Sequence, residues 1–251
     1  MTRLGQKKQL KRLPAPSHWP IARKEYKFTV RTRPGPHPKE SSITLAILLR
    51  EMLGYAKTLN EVKQILSSGQ VLVDGRVRKM TGFPLGMMDV VEIKTSGEKF
   101  RILPKKSGGL RLVPIDEKES GVKLCRVQKK RMVAHGRVQF TLHDGRNVLL
   151  SEGGKPSEIH TLDTLKISIP DYKMISHMVL EKGAYAVVTQ GNNVGYQGRV
   201  LDIQKRYGTH ASTVTMEDLQ GNKIQTSLDY VFVVGKQKPE VNLPVEGGAS
   251  S

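Results

Sequence analysis

The sequence predicts a multidomain chain of the α+β class. Three observations carry that expectation. Amphipathic segments of helical period occur in one stretch, between residues 45 and 67. Almost everything after residue 70 is short apolar runs parted by Gly-containing turns, the pattern of strands and hairpins. The first forty residues follow neither pattern and hold Pro14, Pro16, Pro20, Pro34, Pro36 and Pro38. The 251 residues suffice for about two domains, or three small ones. The expected order is a basic, disordered N-terminal extension over 1–40, then a small α+β domain over 41–105. A small all-β central domain over 106–173 follows, then a C-terminal SH3-like β-barrel over 174–235 and a disordered tail over 236–251.

Charge is the strongest compositional signal. The chain has 41 basic and 23 acidic residues, net +18, and the first forty residues alone hold 11 basic and 2 acidic. Clustered like charge destabilises a chain unless a polyanion answers it. An acidic membrane would attract the same segment, but nothing apolar stands beside it to insert. Cys125 is the single cysteine, so a disulfide framework is excluded and a reducing cytoplasm fits. No apolar run reaches the length of a membrane span, and no secretory signal is expected. The seven histidines are scattered, without paired zinc-ligand spacing. There is no phosphate loop or dinucleotide fingerprint. Asp163 reads as a turn residue before a strand. The expectation is no enzyme, no metal and no cofactor.

Within the extension, Arg3, Lys7, Lys8, Lys11, Arg12, Arg23, Arg31 and Arg33 are candidate phosphate contacts. Trp19 is the only tryptophan. With His18 it is expected to order against a nucleotide, by stacking, or against the protein's own surface.

Leu45, Leu48, Leu49, Met52 and Ala56 form the stripe of a first helix, with Ser41 or Ser42 as its cap and Gly54 at its end. Thr58 and Glu61 make a capping box for a second helix, lined by Leu59, Val62 and Leu66 and stopped at Gly69. Asp74-Gly75 supplies the two positive-φ residues of a type I′ hairpin turn. Arg76 and Arg78 are two apart and are expected to point away from Val77 and its core. Lys57 and Thr58 stand where free helix amides favour phosphate. Lys63 lies one turn on, and Arg50 and Lys79 flank the unit. Each of these cations alone also reads as solvated surface charge; as a set on one side they point to RNA.

Residues 100–104 and 110–115 read as strands around a loop at 105–109. Further runs are 123–127, 137–143, 148–151 and 164–169, with Asp144-Gly145 as another hairpin turn. Lys129, Lys130 and Arg131 read equally as a solvated strand end or as an RNA contact. In the last unit, strands at 182–188, 199–203, 213–219, 223–227 and 230–234 suggest the barrel. Gly191, Gly195 and Gly198, with Asn192, Asn193, Tyr196 and Arg199, form the loop between its first two strands.

The 41–95 stretch resembles the small RNA-binding domain named after ribosomal protein S-four. Gly69-x-Val71-x-Val73-Asp74-Gly75 and Asp89-x-Val91-x-Ile93 carry that likeness. The glycine loop near Gly191 resembles the KOW motif. The segments KKQLKRLPAPSHWPIARKEYKF (7–28), GPHPKE (35–40), FPLGMMDVVEI (83–93), KLCRV (123–127) and DTLKISIP (163–170) resemble the archaeal and eukaryotic ribosomal family called S-four-e. The likeness runs in order over almost the whole chain. It implies a ribosome-bound structural protein of the small subunit in the cytoplasm. Its implied partners are small-subunit rRNA and neighbouring ribosomal proteins, with no membrane and no small-molecule substrate. KOW units bind RNA or protein, and the zero net charge of residues 171–235 leaves both open. Other readings are an accessory of an RNA-modifying enzyme, or a KOW-type transcription or translation factor.

Overall fold

The structure, a computed structural model, describes residues 9–106, 108–149, 158–207, 211–218 and 220–244. Its first unit is a five-stranded antiparallel sheet, ordered Arg76–Val77, Val71–Val73, Val90–Ile93, Glu98–Pro104, Leu110–Pro114. The sheet therefore runs past residue 105, the expected boundary. The expected first helix is Leu45–Ile47 continued by a wider π turn, Leu48–Met52. Its cap is Thr44, whose Oγ1 accepts from the Ile47 amide at 3.4 Å, rather than Ser41 or Ser42. Ser42 is buried and its carbonyl serves the extension instead. The second helix, Leu59–Ser67, has the expected capping box. Both pack Leu45, Leu48, Leu49, Val62 and Leu66 against Val71, Val91 and Ile102. Asp74 and Gly75 have φ 49° and 71°, as a type I′ turn requires.

Residues 9–40 of the extension are ordered, contrary to expectation. Leu10–Lys11 pairs with Phe28–Thr29. Leu10, Ala15, Trp19 and Ile21 join the core of the first unit. Trp19 is 3% exposed, and its Nε1 donates to the Ser42 carbonyl at 2.7 Å. Arg12 is buried too: it donates to the Ala22 carbonyl at 2.6 Å and pairs with Glu25 and Glu51. These anchors are irregularly spaced, so no period announces them. The prolines lower the entropy cost of fixing the segment, so few anchors suffice.

The central sheet is ordered Asn147–Leu149, Val138–Leu142, Val122–Met132, Thr164–Ser168, Met174–Met178. The expected last unit began at residue 174, but Met174–Met178 is a strand that pairs with Thr164–Ser168 here. The last sheet is ordered Lys223–Ser227, Thr213–Glu217, Gln197–Gln204, Tyr185–Val188, Val231–Gly235. Among the described residues no ladder joins its two edge strands, so it is an open sheet where a closed barrel was expected. The turn Leu228–Tyr230 carries the chain across that side. Within the expected disordered tail, Val241 and Leu243 are buried with Tyr185 and Phe232, and Glu240 pairs with Lys166 at 2.9 Å. Residues 245–251 lie outside the described ones.

Buried ions tie the units together. Lys123 of the central sheet meets Asp74 at 2.7 Å and Asp144 at 3.3 Å. Arg146 also binds Asp74, at 3.0 Å, and His37 of the extension reaches Asp89 at 3.1 Å. Gly86 sits beneath the His37 ring, where any Cβ would collide with it.

Candidate nucleic-acid interface

The structure sorts the candidate cations into anchors and free charges. Arg12 and Trp19 are buried. Arg23 is a clamp: its guanidinium donates to the carbonyls of Arg12, Leu13, Ala15 and Pro16 at 2.7–3.2 Å. His18 sits on the Ser42 carbonyl at 3.1 Å. Lys11 and Arg33 are exposed, and Arg31 is half-buried. Arg3, Lys7 and Lys8 lie outside the described residues.

On the first unit, Arg50 pairs with Glu51 at 2.8 Å. The backbone amides of Lys57 and Thr58 themselves are occupied. Glu61 Oε2 accepts from the Lys57 amide at 2.8 Å and reaches that of Thr58 at 3.5 Å. Burial being absent, those amide bonds and the Thr58 hydroxyl hold the Glu61 carboxyl below its ordinary range. The side chains of Lys57, Thr58 and Lys63 remain exposed.

The hairpin carries Arg76, Arg78 and Lys79. Val77 between them is 42% exposed, so it marks no core face as expected. That strand is two residues long and lies at the edge of the sheet, so it adds no core face of its own. Its arginines are held by rings instead: Arg78 lies 4.5 Å from the Phe83 centroid and Arg76 4.9 Å from that of Tyr172. Lys79 is exposed. Lys129, Lys130 and Arg131 are exposed along Val122–Met132, with Lys130 Nζ donating to the Ile159 carbonyl at 3.1 Å.

The glycine loop of the last unit turns inward. Gly191 and Gly195 have φ 87° and 82°. A Cβ on Gly195 would stand 2.5 Å from the Lys106 amide nitrogen, so the loop touches the hairpin of the first sheet. Tyr196 faces Lys106 Nζ at 4.4 Å, and Asn193 donates to the Gln225 carbonyl at 3.1 Å. Gly198 is buried against the Glu217 backbone; Asn192 and Arg199 are exposed.

Sequence reasoning missed Tyr26 and Phe28, 64% and 45% exposed on the extension. The signal was present in KEYKF, where aromatics alternate with cations (24–28). It also missed Tyr172 and Arg146, which long-range pairing alone brings to the hairpin. Among the described residues no cluster of His, Cys, Asp and Glu could hold a metal, and no helix is long and apolar enough to cross a membrane.

This arrangement can grip a phosphate backbone by point charges and stack bases on exposed rings. Comparisons with known proteins agree in kind. Residues 96–174 match the model of ribosomal family S4e, 45–91 that of the S4 domain and 4–40 that of the RS4NT domain. A Staphylothermus marinus protein named small ribosomal subunit protein eS4 is 47% identical over 248 residues, covering 97% of this chain and 98% of its own. Its namesake in Aeropyrum pernix is 46% identical with the same coverage. That of Methanocaldococcus jannaschii is 41% identical, covering 97% of this chain and 100% of its own. The crystal structure of 30S ribosomal protein S4e from Thermoplasma acidophilum superposes with TM-score 0.66 at 29% identity. It covers 79% of this chain and 97% of that one.

Proposed function

The chain belongs to ribosomal family S4e, and from that premise we propose how it grips RNA. It is a structural constituent of the small ribosomal subunit. Its work is non-catalytic and is done in the cytoplasm, bound to the ribosome, with rRNA and neighbouring ribosomal proteins as partners. Lys63, Arg76, Lys79, Lys129 and Arg131 carry the reading: all are exposed, and none is paired with a carboxylate among the described residues. They position the rRNA backbone, together with Lys11, Lys57 and Arg33, while the fold of the RNA supplies selectivity. Arg12, Arg23 and Trp19 build the surface from behind. The KOW-like loop serves docking within the chain, because Gly195 closes on the 105–106 backbone. The unit around it forms an SH3-like module whose free side meets a protein neighbour.

The test is sedimentation of the small subunit through a high-salt wash, followed by salt titration of binding to deproteinised small-subunit rRNA. Retention on the subunit with a steep salt slope is expected. A protein found free in the soluble fraction with no affinity for that rRNA overturns the reading.

A further inference from the structure

Two clefts flank the hairpin at residues 76–79. One, of about 680 Å³, lies between Arg76 and the residues Asn147, Leu149, Tyr172 and Lys173 of the central unit. The other, of about 620 Å³, lies between Arg78, Lys79 and the turn at Asp144 and Gly145. Arg146 borders both. The hairpin is thus a ridge whose two sides are completed by another unit.

Tyr172 stands at the seam. Its hydroxyl donates to the Asp74 carbonyl at 2.9 Å. Its ring centroid lies 3.8 Å from Arg146 Cζ and 4.9 Å from Arg76 Cζ. Its φ of 59° is a conformation that tyrosine rarely adopts.

The two arginines differ in what they have left to give. Arg146 binds Asp74 at 3.0 Å and Asp144 at 3.5 Å, which neutralises it. Arg76 is exposed and has no carboxylate partner among the described residues. A guanidinium held against an aromatic ring keeps donors free for a phosphate and loses less entropy on meeting one. Lys173 adds a second exposed cation to the cleft, opposed by Asp171.

We propose that the cleft between the 76–79 hairpin and the central sheet is a groove for the RNA backbone, in which Tyr172 is a positioning residue that holds Arg76 for a phosphate. This deepens the RNA-binding reading above and rests on it. It extends the RNA surface from the first unit across the seam.

The test uses the full chain and deproteinised small-subunit rRNA, with affinity measured across salt and thermal stability measured alongside. Arg76→Ala is expected to weaken binding about tenfold, as for a hydrogen bond to a charged group, and to lower the log–log salt slope by about one. Tyr172→Leu should do the same, and Tyr172→Phe, which keeps the ring, should keep the slope. The Arg76→Ala/Tyr172→Leu double variant should bind no worse than either single one. Arg76→Lys, which leaves the seam intact, should also lose affinity, because a compact ammonium is not oriented by the ring. A wild-type slope in Tyr172→Leu, a further loss in the double variant, or full affinity in Arg76→Lys overturns the proposal. If Arg76→Ala binds the rRNA like wild type, Arg76 is no RNA contact at all. The cleft then belongs to an acidic protein neighbour, and the proposal falls while the protein's rRNA binding stands. A wild-type chain without salt-dependent rRNA binding overturns both.

Discussion

Lys123 Nζ lies 2.6 Å from Asp89 Oδ1, and both side chains are 1% exposed. The two residues belong to different units, so this contact and its neighbours weld the central sheet to the first. Burial penalises both charges. The mutual attraction outweighs that penalty: His37 and Lys123 hold Asp89 well below its ordinary range, while Asp89 and Asp74 hold Lys123 well above its own.

Lys123→Met therefore leaves Asp74, Asp89 and Asp144 buried against one another without their shared cation. Breaking a buried ion pair from one side costs about 3–5 kcal/mol. Urea unfolding monitored by circular dichroism should show a loss of that order; a loss under 1 kcal/mol would mean that water or Arg146 replaces the ammonium.

His143 makes stability depend on pH. Its Nδ1 accepts from the Arg126 amide at 3.3 Å and its Nε2 faces the Met87 carbonyl at 3.1 Å. Those partners fit the neutral ring, with the proton on Nε2. Desolvation first, then Lys123 and His37, lower its pKa from 6.5 to about 4, against the pull of Asp144. Between those two values the unfolded chain binds the extra proton, so stability falls as pH drops from 6.5 to 4. The slope should approach about 1.4 kcal/mol per pH unit and flatten in His143→Gln. Below about pH 4, Asp89 and Asp144 add their own loss, since their carboxyls are held low and must take protons to unfold. Chemical unfolding at a series of pH values reads both regions. An unchanged slope in His143→Gln would clear His143.

Gly75→Val tests the seam from the hairpin side. The residue has φ 71°, and a Cβ there would meet Ile169 Cγ2 at 2.9 Å and Pro170 Cβ at 3.0 Å. Strain of about 1–3 kcal/mol is expected from the backbone, with the clash added to it. Gly75→Ala, by comparison, should be the milder of the two in thermal melts.

Trp19 serves as a reporter of the extension. Buried in the first core, it should emit like a shielded indole and change little when rRNA is added. Trp19→Ala should cost about 3–5 kcal/mol, as for other large buried aromatics. A strong quench on RNA binding would return it to the stacking role that the sequence suggested.

The extension's electrostatic share is best tested by neutralising charge, because deleting it would remove part of the core. Lys11→Gln, Lys24→Gln and Lys27→Gln together alter exposed residues. If each lysine meets a phosphate, the salt slope should fall by roughly two to three, at 0.7 to 0.9 per contact. An unchanged slope, measured on the same rRNA, would show that these cations face solvent or protein.

The local grammar of the chain was legible: the Thr58–Glu61 capping box and the Asp74-Gly75 turn are set by neighbours in sequence. What stayed hidden depends on distance. Trp19 finds Ser42, Lys123 finds Asp74 and Asp89, and Met174–Met178 joins the central sheet, all through pairings that leave no periodic trace. The candidate site divides in the same way. Charge pointed to the extension and the hairpin, yet it could not tell Arg12, sealed beneath Tyr26, from Lys11 beside it. A positive side chain serves as a buried clamp as readily as an exposed hand, and only its surroundings decide.

The packing of Trp19 into a core that also holds Ile102 has a consequence for the order of synthesis. The indole is synthesised some eighty residues before Ile102 completes that core. Through that interval the core is incomplete, and the segment's exposed cations are open to any polyanion nearby. The arm with the densest positive charge is thus made before part of the core that holds it.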